Sequence, residues 1–199
     1  MPRQVDHDSR RRQIAQAVFD LISERGMEGA TLRDAAERAG VSMGAVQRCF
    51  STKEQMVAFV MEYMNRRITE RVQAQVPDTA DPATAMTTLE HTLAATLALD
   101  PPSRAETRVW LAFTAQAALD PALAAAQREQ YTGLAELIAL LIGAAQTHGH
   151  ARPDLDAHQE AGALITLADG LNIQLLLGRH TPDSARSALH HRLVPLRVG

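Results

Sequence analysis

Between Thr31 and Phe50 the chain reads TLRDAAERAGVSMGAVQRCF, and no other stretch restricts the fold as much. Thr31 stands before LRDAAERA with Asp34 three residues later, a variant of the reciprocal pair that opens helices, and Ser42 is placed to open MGAVQRCF. Gly40-Val41-Ser42 interrupts the two segments. The spacing predicts short helices over Leu32–Ala39 and Met43–Cys49. Val46 and Phe50, four apart, then point inward with Val41, Ala35 and Leu32, which leaves Met43, Gly44, Gln47 and Arg48 facing out.

The flanking segments are helical too. Ile14, Ala17, Val18, Leu21 and Ile22 recur on one helical face, so a first helix runs from about Ser9 to Arg25. Ser51 with Glu54 has the form of a capping box, and a fourth helix begins at Thr52 or Lys53 and continues to about Gln75, where VPDTADP breaks it with two prolines. Beyond that border the segments read Pro82–Leu99, Ser103–Leu119, Pro121–His148, Asp156–Leu177 and Pro182–Arg192. Asp81, Asp120 and Thr181 each precede a proline suited to a first helical position. Alanine and leucine dominate a hydrophobic fraction of 46%, aromatics are 4%, and β-branched runs bounded by turn residues do not occur, which points to an all-α protein of about nine helices.

A net charge of −3 argues against a generally basic nucleic-acid coat, so DNA binding has to be argued from a local site. Cys49 is the single cysteine, which rules out an intramolecular disulfide and a four-cysteine zinc site. No stretch reaches the roughly 18 apolar residues of a membrane span, and MPRQVDHDSRRRQ lacks the apolar core of a signal peptide. The expectation is a cytoplasmic protein with no membrane partner.

Two short helices joined by a tight glycine turn form a helix-turn-helix pattern, whose second helix enters the major groove. Here that helix is Met43–Cys49. Small Gly44 and Ala45 let backbone approach the duplex, Gln47 suits adenine, Arg48 suits guanine or phosphate, and Met43 suits a thymine methyl. Thr31, Arg33, Ser42, Thr52 and Lys53 cluster at helix starts, where free amides and dipole ends favour phosphate, and the run Arg10-Arg11-Arg12 is a further basic candidate.

The run RRQIAQAVFDLISERGMEGATLRDAAERAGVSMGAVQRCFSTKEQMVAFV resembles the DNA-binding head of the TetR family over about 50 residues. The resemblance implies a homodimeric regulator with a three-helix head and a fourth helix as connector, and it places Arg33, Met43, Gly44, Gln47, Cys49 and Lys53 at positions that often touch DNA in relatives. Tyrosine is usual in the family where Gln47 stands, so an operator sequence does not transfer. The division expected is a helix-turn-helix domain over 1–52 and an effector-binding and dimerisation domain over 53–199, with about 53–75 as connector. The stretches ETRVWLAFTAQAALDPALAAAQREQY and LADGLNIQLLLG resemble the ligand domain of repressors akin to the choline-responsive BetI type.

In that second domain Met86, Leu89, Leu93, Trp110, Phe113, Tyr131, Leu134 and Ile138 are candidates for an effector cavity, with ordinary core packing as the alternative. Asp169, Asn172 and Gln174 interrupt an apolar helix and must find partners. Asp169 can hold a cationic effector or pair structurally, across a dimer or with Arg104 or Arg108. The helices from Asp156 and from Pro182 carry apolar residues on more than one face and supply a two-fold dimer seam. His148, His150 and His158 near Asp154 and Asp156 fit no strict metal motif, and no phosphate-cradling loop, HExxH pair or GxSxG elbow is present, so neither cofactor, metal nor enzyme is expected. The function expected is a DNA-binding transcriptional regulator, a repressor on a palindromic operator released by a small organic effector. The alternative is a helical small-molecule-binding or scaffold protein with no DNA role.

Overall fold

The computed structural model describes residues 2–75 and 84–198. Among them are nine α-helices: α1 Pro2–Arg25, α2 Leu32–Ala39, α3 Met43–Cys49, α4 Lys53–Gln75, α5 Ala85–Ala95, α6 Pro101–Ala117, α7 Pro121–Thr147, α8 Ala157–Leu176 and α9 Pro182–Leu193. Two 3-10 turns, Met27–Gly29 and Val194–Leu196, complete the described elements, which include no strand. The all-helical expectation holds, while the VPDTADP border with Asp81 and Pro82 lies outside the described residues.

Helix ends differ from the sequence reading at α1, α5 and α6, and at α4, which starts at Lys53 as expected, only the cap differs. α1 starts near Pro2, because its first turns carry no apolar stripe for periodicity to detect. At the start of α4 the capping pair runs one residue later than Ser51 and Glu54: Thr52 Oγ1 accepts from Gln55 N (3.2 Å), and Gln55 Oε1 accepts from Ser51 N (3.0 Å). α6 begins at Pro101 because Asp100 and Ser103 cap each other's backbone at 2.8 and 3.0 Å, leaving two prolines in a first turn where no amide is needed. α5 stops at Ala95, short of Leu99, as the Asn172 amide takes over the backbone that follows: it accepts from Ala98 N (2.8 Å) and donates to Thr96 O (3.0 Å).

By its contacts the chain forms two units, Met1–Arg67 with Ala105–Gln116 and Ile68–Arg104 with Ala117–Gly199. α4 and α6 therefore each pass from one unit to the other.

In the first unit Ile14, Val18, Leu21 and Ile22 of α1 are buried, as are Ala35, Val46 and Phe50, the inward set expected from spacing; Val41 and Leu32 are half-buried. Gly40 ends α2 at φ +65°, a left-handed turn that costs other residues about 1–2 kcal/mol, and its amide returns to Ala36 and Glu37 carbonyls. Two polar ties seat α2 on α1: Gln13 Nε2 donates to Ala39 O at 2.8 Å, and Arg38 grips Glu24 through both nitrogens at 3.0 and 2.7 Å. The Arg38–Glu24 pair is solvated and its attraction screened, whereas burying one large side chain such as Phe50 is worth ~1.5–3 kcal/mol, so packing holds α2 and α3 and the ion pair orients them.

α4 docks on α1 differently. Along one row of α4, Phe59 lies under the Arg11 guanidinium (4.2 Å to the ring centroid), Tyr63 OH donates to Gln16 Oε1 (2.8 Å), and Arg67 donates to the same oxygen (3.1 Å). These contacts are directional, so they fix an angle as well as a distance.

The second unit is built on a continuous aliphatic cluster that includes Leu89 and Leu93 of α5, Ile138 and Ile142 of α7, Leu164 and Leu175 of α8, and Leu189 and Leu193 of α9. Its last residues are strapped to the α7–α8 connection by Arg152 N to Leu196 O (2.9 Å) and Val198 N to His150 O (3.3 Å). Glu90 of α5 receives His190 at 2.8 Å and Arg197 at 3.5 Å, which ties that strap and α9 to α5.

Candidate nucleic-acid interface

Ser42 caps α3 by accepting from Ala45 N (3.2 Å), and Phe50 N closes the helix on Val46 O (2.8 Å). Both ends of this seven-residue helix are thus satisfied locally, which lets it project without a neighbour along its outer edge. Val46 is fully buried and Phe50 is 1% exposed, whereas Met43 is 40% exposed and Gln47 and Arg48 are exposed. Gly44 and Ala45 are half-buried, and a side-chain carbon at Gly44 would meet nothing nearer than Arg48 Nη1 at 3.7 Å. The outer edge of α3 is therefore one open row of thioether, amide and guanidinium groups over a backbone that a groove floor can approach.

Of the other candidates Thr31, Arg33, Ser42 and Thr52 are exposed, and Lys53 and Cys49 are half-buried. Thr31 is engaged in the free protein: its hydroxyl accepts from Asp34 N (3.1 Å) and donates to the Asp34 carboxylate, which lowers that carboxyl below its ordinary range. Burial holds the Cys49 thiol above its ordinary value against the pull of Arg11, Arg10 and Arg48. Of the Arg10-Arg11-Arg12 run, Arg10 reaches Gln13 Oε1 (3.2 Å) and Arg12 is exposed. Arg11 lies over both the Phe50 and Phe59 rings, at 5.1 and 4.2 Å, with its Nε buried and without a hydrogen-bond partner. Sequence spacing marks Arg11 only as one basic residue of three; its role in seating Phe50 needs the fold to bring two rings to it.

A capped seven-residue helix with an inward pair and an open polar row, following a left-handed glycine turn, is the arrangement of a helix-turn-helix. The family profile described as bacterial regulatory proteins, tetR family, matches residues 14–60, and that of the BetI-type transcriptional repressor C-terminal domain matches residues 85–196. The chain belongs to the TetR family. It is 35% identical over 181 residues to the HTH-type transcriptional regulator PksA of Bacillus subtilis (strain 168), covering 89% of this chain and 83% of that protein. To the HTH-type transcriptional regulator BetI of Burkholderia cenocepacia (strain J2315) it is 29% identical over 190 residues, 95% of this chain and 93% of that one. Among solved structures, a transcriptional regulator from Saccharomonospora viridis in complex with choline superposes with a TM-score of 0.86 at 26% identity, covering 96% and 99% of the two chains. The sequence-based resemblance is met in both halves, and TetR-family membership makes this a transcriptional regulator with a helix-turn-helix DNA-binding head.

The effector candidates of this TetR-family chain fall in several places. Met86, Leu89, Leu93 and Ile138 belong to the aliphatic cluster of the second unit, with Tyr131 and Leu134 packed against it. Trp110 is half-buried and Phe113 is 2% exposed, both on the part of α6 that groups with the head. Asn172 is spent on the backbone after α5, as described above. Asp169 accepts from Tyr131 OH at 2.7 Å, a different partner from the Arg104 and Arg108 that the sequence suggests. Burial raises the Asp169 carboxyl above its ordinary value, partly offset by that hydroxyl. Among the described residues no three histidine, cysteine or carboxylate side chains gather as metal ligands. Asp154 pairs with Arg152, and Asp156 caps α8 by accepting from His158 N (2.9 Å). No described helix is long and apolar enough to cross a membrane.

Proposed function

We propose that this chain is a homodimeric repressor that reads a palindromic operator with α3 and releases it when a small organic molecule occupies the C-terminal domain. The observation that carries the reading is the open row Met43, Gln47 and Arg48 backed by buried Val46 and Phe50. Bases are read by Met43, Gly44, Ala45, Gln47, Arg48 and Cys49, while Thr31, Arg33, Ser42, Thr52 and Lys53 take phosphates. The dimer forms through α8 and α9. Gly162, Ala163, Thr166, Gly170, Ile173 and Leu177 make an exposed row on and just after α8 that carries no charge, which suits self-association about a two-fold axis. Within the second unit the effector is held by Tyr131, Leu134 and Asp169, beside Met86, Leu89 and Leu93 of the aliphatic cluster. Because a carboxylate beside an aromatic ring attracts cations, and a structural neighbour was solved with choline, a small organic cation is the effector class proposed. Effector binding shifts the dimer toward a state whose heads no longer match successive major grooves.

The test is selection of duplexes from a random DNA pool by the full-length protein, followed by anisotropy titration of the enriched sequence at several salt concentrations, with and without choline. A palindrome should emerge, Arg33→Ala and Lys53→Ala should each lower the salt slope by about two, one for each protomer, and choline should weaken wild-type binding more than it weakens Asp169→Asn. Failure to enrich any sequence leaves the helical ligand-binding or scaffold alternative; a monomeric mass removes the dimer.

A further inference from the structure

Gln16 lies on α1, half-buried, and is not among the residues proposed to touch DNA. Its amide nonetheless sits between two opposite charges: Oε1 accepts from Arg67 (3.1 Å) and from Tyr63 OH (2.8 Å), while Nε2 donates to Asp20 Oδ1 at 2.8 Å. The orientation of that amide is dictated by its neighbours, since arginine can only donate and a carboxylate can only accept. Asparagine, the other side-chain amide, is one methylene shorter. The Arg67 guanidinium also lies 5.7 Å from the Tyr63 ring centroid and 5.9 Å from that of Phe19, which holds it over the seam while it donates. Arg67 is moreover the last residue of α4 that groups with the head. The clasp therefore closes on the connector at the turn where it leaves the DNA-binding unit.

We infer that Gln16 is a positioning residue for operator recognition: by clasping Tyr63 and Arg67 it sets the angle at which α4 leaves the head, and so the separation of half-sites that a dimer accepts. The inference rests on the dimeric DNA-binding reading above. An apolar seam would tolerate sliding, because dispersion contacts have little directionality, whereas the two hydrogen bonds that Tyr63 and Arg67 of α4 make to one amide oxygen, itself oriented by Asp20 on α1, lose strength when α4 rotates. Each base pair added between half-sites also turns the second site around the duplex axis, so a fixed exit angle translates into a fixed spacing.

The experiment takes the palindromic duplex selected by the wild-type protein and resynthesises it with the half-sites moved by one and two base pairs either way. Wild-type, Gln16→Met, which keeps the volume, and Gln16→Glu, which turns a carboxylate toward Asp20, are titrated against the set, with Arg67→Met as an independent break of the same clasp. The wild type should prefer one spacing, and both Gln16→Met and Arg67→Met should lose about tenfold of that discrimination, the size of one charge-assisted hydrogen bond, while Gln16→Glu, which keeps an acceptor for Tyr63 and Arg67 and loses only the bond to Asp20 within α1, should retain more of it than Gln16→Met. A variant that is merely destabilised loses affinity equally at every spacing, and circular dichroism melts run alongside show how much of it is folded. A wild-type optimum that persists undiminished in Gln16→Met and Arg67→Met overturns the inference and leaves the DNA-binding reading intact. Absence of any selected palindrome overturns both.

Discussion

The head and the C-terminal unit are both helical and both buried at their centres, yet their helices are oriented by different kinds of contact. In the head, packing holds the short α2 and α3, while directional contacts set their angles: the Thr31 and Ser42 caps, the left-handed Gly40 and the Arg11 stack on Phe50 and Phe59, with the Gln16 clasp seating α4 on α1. In the C-terminal unit one aliphatic cluster runs through α5, α7, α8 and α9, and Asn172, buried like Thr88, Thr92, Ser103 and Gln127 of the same unit, ties backbone to it. Directional bonds fix angles, and apolar packing fixes volume. A surface that must match a rigid groove needs the first.

The contrast can be broken most forcefully at Phe50. Phe50→Ala should cost about 3–5 kcal/mol, abolish DNA binding and unfold the head, while the far-ultraviolet signal retains the helices of the C-terminal unit. A single cooperative loss of all helical signal at one temperature would show that the two units do not differ in the way described. Asn172→Ala is the corresponding break on the other side. With the Ala98 amide and the Thr96 carbonyl left buried and unbonded, urea unfolding should show a loss of roughly 2–4 kcal/mol, unaccompanied by any change in the DNA salt slope.

Smaller effects sharpen the comparison. Ser42→Ala removes the α3 cap and should lower stability by about 1 kcal/mol while weakening DNA binding, whereas Ser42→Gly should recover most of the stability. Asp169→Asn should do the opposite of most substitutions. The native carboxyl is raised above its ordinary value, so the folded state binds that proton more tightly than the unfolded chain, and stability declines as pH rises from the ordinary aspartate value through the raised one. Asparagine can still accept from Tyr131 OH and does not titrate. The melting temperature should therefore rise by about 2 °C at pH 7, with the gain shrinking in acid; an equal gain at pH 3 and pH 7 would assign the effect to packing.

Much of the head is legible in the sequence, and the reason is visible at particular residues. Thr31 with Asp34 and Ser42 with Ala45 are bonds between residues three apart, and Val46 with Phe50 is one helical turn, so composition and spacing contain them entirely. The same holds for the Asp120, Asp156 and Thr181 caps of α7, α8 and α9. Periodicity carries α5 too far because the group that ends it comes from α8. It also starts α6 too late, at Ser103, because Ser103 and Asp100 cap each other across two prolines that already belong to the helix.

What the amino-acid order determined unaided is therefore the inventory of helices in the head, their caps and their inward faces, since all of these follow from neighbours within one turn. The fold alone decided that Gln16 meets Tyr63 and Arg67, 47 and 51 residues away, that Asn172 meets Ala98 and Thr96, 74 and 76 residues away, and that Asp169 meets Tyr131 across 38. Periodicity reports which face of a helix is buried and carries no information about which face it will be buried against; a polar group's partner is set by that second choice, which is made only when the helices pack.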